Sequence, residues 1–184
     1  ALGAGHDLTA TPGLAEVGHE FYSVPGVERL AALLRTFTAG RLVIGVCGPV
    51  HKCPPAPSEA ALLLDEVLRE RGVRDRVAID IVIPGPRPVG PSKDASEQIV
   101  ARFAERGIRF HPDHRVTALD PATHAAVLDD GSRLPFDLFL GVPVHTVPPV
   151  VVASGLAENG WIPVDRSTLA TRFPSVYAVG DVTS

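Results

Sequence analysis

The sequence predicts an α/β fold in which a parallel sheet is flanked by helices and carries a small antiparallel hairpin insertion. A continuous apolar run of strand length over 41–46 and a second strand over 77–83 are each followed by a segment with helical periodicity. Strands that alternate with helices pack into a parallel sheet, and strands covered on both faces are continuously apolar. A hairpin signal at 125–135 then interrupts the alternation.

The first helix is predicted over roughly 26–38, after an irregular arm over 1–22 in which glycine and proline break any periodicity. Its apolar residues are spaced i, i+3, i+4 and i+7 and so share one face: Leu30, Leu33, Leu34 and Phe37. The strand 41–46 follows, and a loop rich in proline leads from it to the next helix.

The second helix is predicted over about 57–71 and ends at Gly72. Asp65 and Arg69 are spaced i, i+4, which predicts an ion pair on the solvent side. The residues expected to face inward are Leu63, Leu64, Val67 and Leu68.

The third helix is predicted from about Asp94 to 106, after the strand 77–83. Asp94 and Glu97 have the spacing of a capping box, and Gly107 marks the end of the helix. Its expected inward face consists of Ile99, Val100 and Phe103.

The remaining elements are a strand region over 108–119, a hairpin with Asp130-Gly131 at its turn, a buried strand over 136–141, and a proline-rich connection. This order of strand, helix, strand, helix, strand, hairpin and strand is typical of half of a Rossmann-like domain with an antiparallel insertion.

Composition narrows the classes of function. A net charge of −4 argues against a nucleic-acid binder, which usually carries a basic face. The sequence contains no apolar run of 18 residues, and two cysteines do not make a disulfide framework in a chain of this size. His111 and His114 have no supporting ligand at a suitable spacing, so no metal site is predicted.

The loop after the first long strand does not match a dinucleotide-binding fingerprint. Such a site needs Gly-x-Gly-x-x-Gly, but here only Gly45 and Gly48 are present, and their spacing differs. The prolines of this loop lack the N–H groups that a phosphate needs. The strand 77–83 ends without an acidic residue for a ribose hydroxyl. We therefore expect no binding of NAD(P).

The same loop carries Cys53 in the run Lys-Cys-Pro-Pro-Ala-Pro at 52–57. Lys52 and His51 are expected to supply positive charge, and the N-terminus of the following helix adds to it, which favours the reactive thiolate. Cys53, beside Lys52, is therefore predicted to be the more reactive of the two thiols. Cys47, at the end of an apolar strand, is predicted to be a packed core thiol.

A second motif lies at 171–184. The short apolar run 176–179 ends in Gly180-Asp181, which predicts a buried strand that delivers a carboxylate to a tight turn. Ligands of open α/β sheets bind at the carboxyl ends of the strands. Gly180 and Asp181 are therefore candidate cofactor-binding residues.

Both motifs resemble known families. The run 171–184 resembles the C-terminal flavin motif of flavoprotein disulfide reductases, which implies that Asp181 accepts a hydrogen bond from an FAD hydroxyl. The cysteine loop resembles that of sulfide:quinone oxidoreductases and of the flavoprotein subunit of flavocytochrome c sulfide dehydrogenases. This resemblance implies that Cys53, assisted by Lys52, is the catalytic thiol and one of two redox cysteines. It also implies that sulfide or a related thiol is oxidised, and that electrons pass through FAD to a quinone or a cytochrome.

The resemblance also implies a division of the chain. Residues 1–22 would be an arm from a flavin domain, 23–145 the second, nominally NAD(P)-binding Rossmann-like domain, and 146–184 a connection with the flavin-motif strand. The FAD fingerprint and the second cysteine of the family are not in the sequence. We therefore expect an inactive fragment without bound FAD, whose partner is the missing flavin domain, and whose arms pair with a second copy in a homodimer.

Two other functions are compatible with the same fold. An NAD(P)H-dependent flavoprotein reductase domain would need a nicotinamide site, which the broken glycine pattern and Cys53 argue against. A non-catalytic Rossmann-like interaction module would be favoured if the flavin fingerprint were absent from the whole protein.

Overall fold

The computed structural model describes residues 2–184 and divides them into two compact units. One unit comprises Leu8–Val144, and the other combines the residues up to Asp7 with His145–Ser184. The strands are, in chain order, β1 (Gly5–Asp7), β2 (His19–Glu20), β3 (Gly40–Val46), β4 (Val77–Val82), β5 (Ile108–His111), β6 (Val116–Asp120), β7 (Ala125–Leu128), β8 (Arg133–Pro135), β9 (Leu138–Val142) and β10 (Val144–Thr146). The helices are α1 (Leu14–Val17), α2 (Val24–Thr36), α3 (Ala56–Glu70), α4 (Lys93–Glu105) and α5 (Pro149–Ala153), with a 3-10 turn at Arg74–Arg76.

The main sheet of the larger unit has five parallel strands in the order β2-β9-β3-β4-β5. Strand β3 lies between β9 and β4, so that Val43 is in register with Phe139 on one side and Asp80 on the other. The predicted α/β fold with a parallel sheet is confirmed.

The small antiparallel sheet has the order β6-β7-β8. The predicted hairpin turn is present, because Gly131 has a φ of 82° and donates its N–H to the carbonyl of Leu128 at 3.0 Å. The sequence predicted one strand region over 108–119. The structure divides it near Asp113, whose φ is 59°, into β5 of the parallel sheet and β6 of the antiparallel sheet.

Both faces of the parallel sheet are covered, which explains why its central strands consist mostly of apolar residues. Helices α2, α3 and α4 bury one face, where Ile44 of β3 belongs to the same core cluster as Leu68 and Phe103. The three-stranded sheet buries the other face, where Val43 packs in a second cluster with Val116. Successive residues of β3 therefore enter different cores.

The predicted inward face of α3 was partly wrong. Leu63 and Val67 are 60% and 40% exposed, whereas Asp65 is fully buried. Ala61, Asp65 and Leu68 share one stripe of the helix because they are spaced i, i+4 and i+7. Asp65 is therefore not part of a solvent-side pair, although it does contact Arg69.

Three guanidinium groups compensate the buried charge of Asp65. Arg69 and Arg106 each approach Oδ2 at 2.8 Å, and Arg74 contacts Oδ1. Burial alone would raise the pKa of Asp65, but the hydrogen bonds from these arginines outweigh it and lower the pKa. Arg74 also donates to the carbonyls of Val77 and Arg106, so this cluster joins α3 to the ends of β4 and α4.

The cap of α4 differs from the predicted capping box at Asp94. The helix begins earlier, and Ser92 is its N-cap, accepting a hydrogen bond from the N–H of Ala95 at 3.3 Å. Phe103 is buried as expected, whereas Val100 is 37% exposed.

The N-terminal segment is more ordered than the predicted irregular arm over 1–22. From Leu8 onward it belongs to the larger unit, where β2 adds a parallel strand beside β9 and Leu14 is fully buried. Gly13 allows this packing, because its φ is 79° and a Cβ there would lie 2.1 Å from the carbonyl oxygen of Leu119. Glycines that break a helical pattern here permit close approach of the backbone.

The smaller unit contains α5, and β1 pairs with β10. Its core cluster consists of Val147, Val151, Ile162 and Val182. The predicted buried strand 176–179 was wrong, since Tyr177 and Val179 are 67% and 71% exposed. Within residues 2–184 this run makes only an isolated bridge, between Ala170 and Tyr177, instead of a ladder that would bury it. None of the described helices has the length and apolarity that a membrane span requires.

Candidate functional site

Cys53 lies in the loop 47–55, which connects the central strand β3 to helix α3 at the carboxyl end of the sheet. This is the end at which open α/β sheets bind their ligands. The side chain of Cys53 is exposed. A thiol in this position is accessible to reagents and substrates from solution.

The backbone of Cys53 is held in an unusual conformation. Its φ of 58° is in the left-handed region, which costs a non-glycine residue about 1–3 kcal/mol. Its carbonyl accepts a hydrogen bond from the N–H of Ala56 at 3.0 Å, which closes the turn that leads into α3. The surrounding loop must therefore stabilise the conformation of this residue.

Of the two side chains predicted to supply positive charge beside Cys53, His51 and Lys52, the first lies in an environment that disfavours the charge. Burial lowers the pKa of His51, so its imidazole is neutral near pH 7. The expected positive charge of His51 was therefore wrong, because the buried environment penalises the imidazolium form. His51 Nε2 is buried and has no hydrogen-bond partner among residues 2–184. Lys52 remains the adjacent cationic residue.

Tyr22 is a neighbour of this loop that the sequence did not indicate. Its hydroxyl donates to the carbonyl oxygen of Lys52 at 3.4 Å. Burial, and then the charge of Cys53, raise the pKa of Tyr22 above its usual range. The sequence placed residue 22 in an irregular arm, and no local pattern indicates that it meets a loop thirty residues away.

Glu20 on β2 holds the segment that carries Tyr22. Its buried carboxylate accepts from the N–H of Tyr22 at 2.6 Å and from the N–H of Ser23 at 2.9 Å. The hydroxyl of Ser23 donates to the same carboxylate and caps α2 by accepting from the N–H of Gly26 at 3.0 Å. A Cβ on Gly26 would lie 1.8 Å from Glu20 Oε1, so glycine is required at this position.

Cys47 is buried, as predicted, and its environment differs sharply from that of Cys53. Burial raises the pKa of Cys47 to about 12, although a hydrogen bond with Thr11 opposes the shift. Its Sγ lies 3.7 Å from the carbonyl oxygen of Gly45. Both cysteines are free thiols.

Gly45, near the end of β3, has a structural role. A Cβ on Gly45 would lie 2.8 Å from the ring of Phe139 and 2.7 Å from Val116, so Gly45 permits packing between the sheets.

The cysteine loop 47–55 faces the segment after β4 across a cleft of about 240 Å³. Seven of its eleven lining residues are Pro, Val or Ile: Pro49, Val50, Pro54, Ile83, Pro84, Pro88 and Pro91. Five of the eleven lining residues are prolines, which have no backbone N–H for a phosphate, and Arg87 is the one arginine or lysine in the lining.

Gly180 and Asp181 lie in the smaller unit, whereas Lys52 and Cys53 lie in the larger one. Gly180 has a φ of 88°, and its carbonyl accepts from the N–H of Thr183 at 3.0 Å and from the Thr183 hydroxyl at 2.8 Å. Asp181 is exposed within this turn. The predicted tight turn is therefore present, although the strand before it is not.

The two histidines considered as a metal pair contact different carboxylates. His111 Nε2 lies 2.8 Å from Oδ1 of the buried Asp80, and His114 Nδ1 lies 3.4 Å from Asp129 Oδ1. Arg109 also binds Asp80 through two hydrogen bonds, at 2.8 and 2.7 Å. Among residues 2–184 no group of three or more His, Cys, Asp or Glu side chains is arranged to hold a metal ion.

The sequence is similar to known oxidoreductases. The model of a family described as pyridine nucleotide-disulphide oxidoreductase matches residues 30–184. The mitochondrial sulfide:quinone oxidoreductase of Dictyostelium discoideum is 27% identical over 175 residues, which cover 89% of this chain and 37% of that protein.

Solved structures share the fold. The sulfide:quinone oxidoreductase of Aquifex aeolicus superimposes with a TM-score of 0.81 at 21% identity, over 99% of this chain and 45% of that one. NDH2 from Plasmodium falciparum in complex with NADH has a TM-score of 0.71 at 14% identity, over 98% of this chain and 42% of that one. The chain thus spans less than half the length of each of these proteins.

Proposed function

Because the chain belongs to the pyridine nucleotide-disulphide oxidoreductase family, we propose that it is part of an FAD-dependent enzyme that oxidises sulfide or a related thiol. The electrons would pass through the flavin to a quinone or a cytochrome. The observation that carries the proposal is the exposed thiol of Cys53 at the carboxyl end of the central strand, where a dinucleotide fingerprint would otherwise lie. The relative from Dictyostelium discoideum, a sulfide:quinone oxidoreductase, supports the same activity.

Cys53 is the proposed catalytic residue, and Lys52 its proposed electrostatic support. An exposed thiol becomes a nucleophile when it ionises, and an adjacent ammonium group favours that form. Cys47 does not fit this role, because burial raises its pKa to about 12 and it is only 2% exposed. The second redox cysteine of the proposed reaction would come from outside the chain.

Gly180 and Asp181 are the proposed contacts to FAD, which when bound supplies an acceptor for two electrons. The local structure fits this role. Asp181 presents an exposed carboxylate that can accept a hydrogen bond from a hydroxyl group, and no atom lies within 4 Å of a Cβ built on Gly180. No glycine-rich phosphate loop accompanies them in the sequence. The rest of the FAD site would therefore be supplied by a flavin domain, without which we expect the chain to be inactive.

The principal alternative is an NAD(P)H-dependent flavoprotein reductase, since the structure of NDH2 in complex with NADH shares the fold. The identity of 14% supports the fold alone. The proline-lined cleft after β3 and β4 argues against a pyrophosphate site, because proline has no N–H to donate.

The choice of reductant tests the proposal. In the full-length protein loaded with FAD, we expect anaerobic sulfide to bleach the flavin absorbance within the mixing time of a stopped-flow experiment, and equimolar NADH or NADPH to leave it unchanged. As a control, Asp181→Ala should lower FAD retention in dialysis. Rapid bleaching by NADH with none by sulfide would favour the alternative.

A further inference from the structure

Asn159 is the only asparagine of the chain, and Gly160 follows it at the tip of a short hairpin. Glu158 and Trp161 flank the pair and form an antiparallel bridge. The N–H of Glu158 donates to the carbonyl of Trp161 at 2.7 Å, and the N–H of Trp161 donates to the carbonyl of Glu158 at 3.1 Å. The φ angles of Asn159 and Gly160 are 50° and 84°, as in a type I′ turn.

An Asn-Gly pair carries the groups of an intramolecular reaction. The backbone nitrogen of Gly160, after losing its proton, attacks the side-chain carbonyl carbon of Asn159. A bond from this nitrogen to Cγ forms, the bond from Cγ to Nδ2 breaks, and ammonia leaves with the proton. Water then cleaves either C–N bond of the cyclic imide, which gives aspartate or isoaspartate. Glycine favours the attack because it has no Cβ to crowd the nitrogen.

The structure leaves both reacting groups of this pair available. Within residues 2–184 neither the N–H of Gly160 nor the side-chain amide of Asn159 makes a hydrogen bond. Both residues are exposed, so water and hydroxide reach them. An exposed turn that is closed by one isolated bridge opens locally at little cost in free energy, which allows the ring to form.

Asp130-Gly131 provides an internal comparison, because it is the one other place in the chain where glycine follows Asp or Asn. There the attacking nitrogen is engaged, since the N–H of Gly131 donates to the carbonyl of Leu128 at 3.0 Å. The Asp130 carboxylate accepts from the N–H of Ser132 at 2.8 Å. Hydrogen bonds with Ser132 lower the pKa of Asp130, so it stays a carboxylate, which resists nucleophilic attack. The same ring closure is therefore blocked at 130 and open at 159.

The hairpin adjoins the candidate contacts to FAD within the smaller unit. Ile162 follows the hairpin, and its N–H donates to the carbonyl of Val182 at 3.0 Å. The carbonyl of Ile162 accepts from the N–H of Ser184 at 3.2 Å. These bonds hold the residues that come directly after Gly180-Asp181. Isoaspartate adds a methylene group to the main chain of the turn, which displaces this pairing.

We propose that Asn159 is a modification site, at which the chain deamidates and isomerises without an enzyme, and that the resulting isoaspartate weakens the retention of FAD. The effect on FAD rests on the proposed function, because it requires that Gly180-Asp181 contact the flavin. The covalent step concerns the chain itself and is tested without cofactor or turnover.

The first test follows the unaltered chain during storage at pH 6 and at pH 9, by peptide mapping with mass spectrometry and by labelling with an isoaspartate methyltransferase. We expect isoaspartate at 159 and none at Asp130, with faster conversion at pH 9 because the attacking nitrogen must lose its proton. Conversion should be less than about 10-fold slower than in an unstructured peptide of residues 156–161, since the turn opens readily.

Asn159→Gln is the matched control, because it keeps the amide but places it too far along the side chain for the same ring. This variant should lose the isoaspartate signal. An Asn159 that stays intact in the chain while the peptide of residues 156–161 converts would overturn the proposal. Conversion of Asp130 at the same rate as Asn159 would also overturn it, because the hydrogen bonds would then not decide which turn reacts.

The second test uses the full-length protein loaded with FAD, both fresh and after storage at pH 9. Storage should lower FAD retention in dialysis in proportion to the isoaspartate at 159, whereas stored Asn159→Gln should keep its flavin. Fresh Asn159→Asp has the new charge without the added methylene group and should retain FAD as the fresh unaltered protein does. Full retention of FAD by protein that carries isoaspartate at 159 would overturn the effect on the cofactor.

The two levels of inference fail separately. If isoaspartate forms at 159 while the fresh full-length protein neither binds FAD nor oxidises sulfide, the modification site stands and the proposed function is wrong. If the fresh protein binds FAD and oxidises sulfide while Asn159 stays intact through storage, the proposed function stands and the modification site is wrong.

Discussion

The two thiols of the chain should differ greatly in reactivity, and the difference can be worked out from the environment of Cys47. Burial raises the pKa of Cys47 to about 12. At pH 8 such a thiol is ionised in roughly one molecule in 10⁴, whereas an exposed thiol with the ordinary pKa of 9.0 is ionised in roughly one in ten. Ionisation alone therefore slows Cys47 on the order of 10³-fold.

Two further effects modify this ratio. A thiolate of high pKa is the stronger nucleophile, which offsets the ionisation effect by roughly 30-fold. Exclusion of reagent from a side chain that is 2% exposed acts in the opposite direction. We expect the exposed Cys53 to be alkylated at least about 100-fold faster than Cys47 at pH 8.

The same burial predicts a loss of stability in alkali. The unfolded chain ionises Cys47 near pH 9 while the folded chain keeps the proton until about pH 12. Cys47 therefore does not affect the free energy of unfolding below pH 9, and it lowers that free energy as the pH rises from 9 toward 12. The loss is about 1.4 kcal/mol for each pH unit within that window.

Urea unfolding at pH 8, 9 and 10 measures this loss. Cys47→Ala should flatten the decline in the free energy of unfolding between pH 9 and 10 by about 1 kcal/mol, and the matched control Cys53→Ala should retain it. Equal slopes in the two variants, or faster alkylation of Cys47 than of Cys53 in the native chain, would refute the reasoning from burial.

Three further predictions concern the fold. Asp65→Asn should lower the free energy of unfolding, measured in urea, by about 3–5 kcal/mol, because three arginines lose a buried charged partner. The control is Glu97→Gln, which breaks the exposed ion pair with Lys93 and should leave the free energy of unfolding nearly unchanged. Because the pKa values of Asp65 and Asp80 are lowered in the folded chain, both carboxylates stabilise it above about pH 4, and this stabilisation is lost as acid protonates them. The free energy of unfolding should therefore fall between pH 6 and pH 2. A free energy that does not change over this range would contradict the pairing of these buried charges. Gly26→Ala should lower the melting temperature despite the better helix propensity of alanine, because its Cβ meets the buried carboxylate of β2, while Gly90→Ala, where no atom lies within 4 Å, should not.

The strands of the sheet could be predicted from sequence because β3, β4 and β9 consist mostly of apolar residues, with Asp80 as the charged exception in β4. This pattern is visible without knowing the neighbouring strands. The inward face of α3 could not, because the fully buried Asp65 is compensated not by Arg69 alone but also by Arg74 and by Arg106, which lies 41 residues further along the chain. A charged residue considered alone predicts a solvent-exposed position, and only the folded arrangement of the arginines around Asp65 makes a buried position possible.

The candidate site could likewise be predicted only in part from the sequence. Cys53 and its proline-rich loop form a contiguous motif, so the sequence locates them. The lowered pKa of His51 depends on its burial in the folded chain, and the contact of Tyr22 depends on the placement of β2 beside β9. Neither relation has a local signature in the sequence.

Cys53 is the residue that we propose carries the oxidation of sulfide. The most direct measurement is anaerobic reduction of the flavin by sulfide in the full-length protein, comparing Cys53→Ser with Cys47→Ser at equal FAD content. We expect Cys53→Ser to lose sulfide-dependent bleaching by at least about 100-fold, or roughly 2.7 kcal/mol in activation free energy, while Cys47→Ser stays close to the unaltered protein. Bleaching at the unaltered rate in Cys53→Ser would contradict the claim even though the fold is as described.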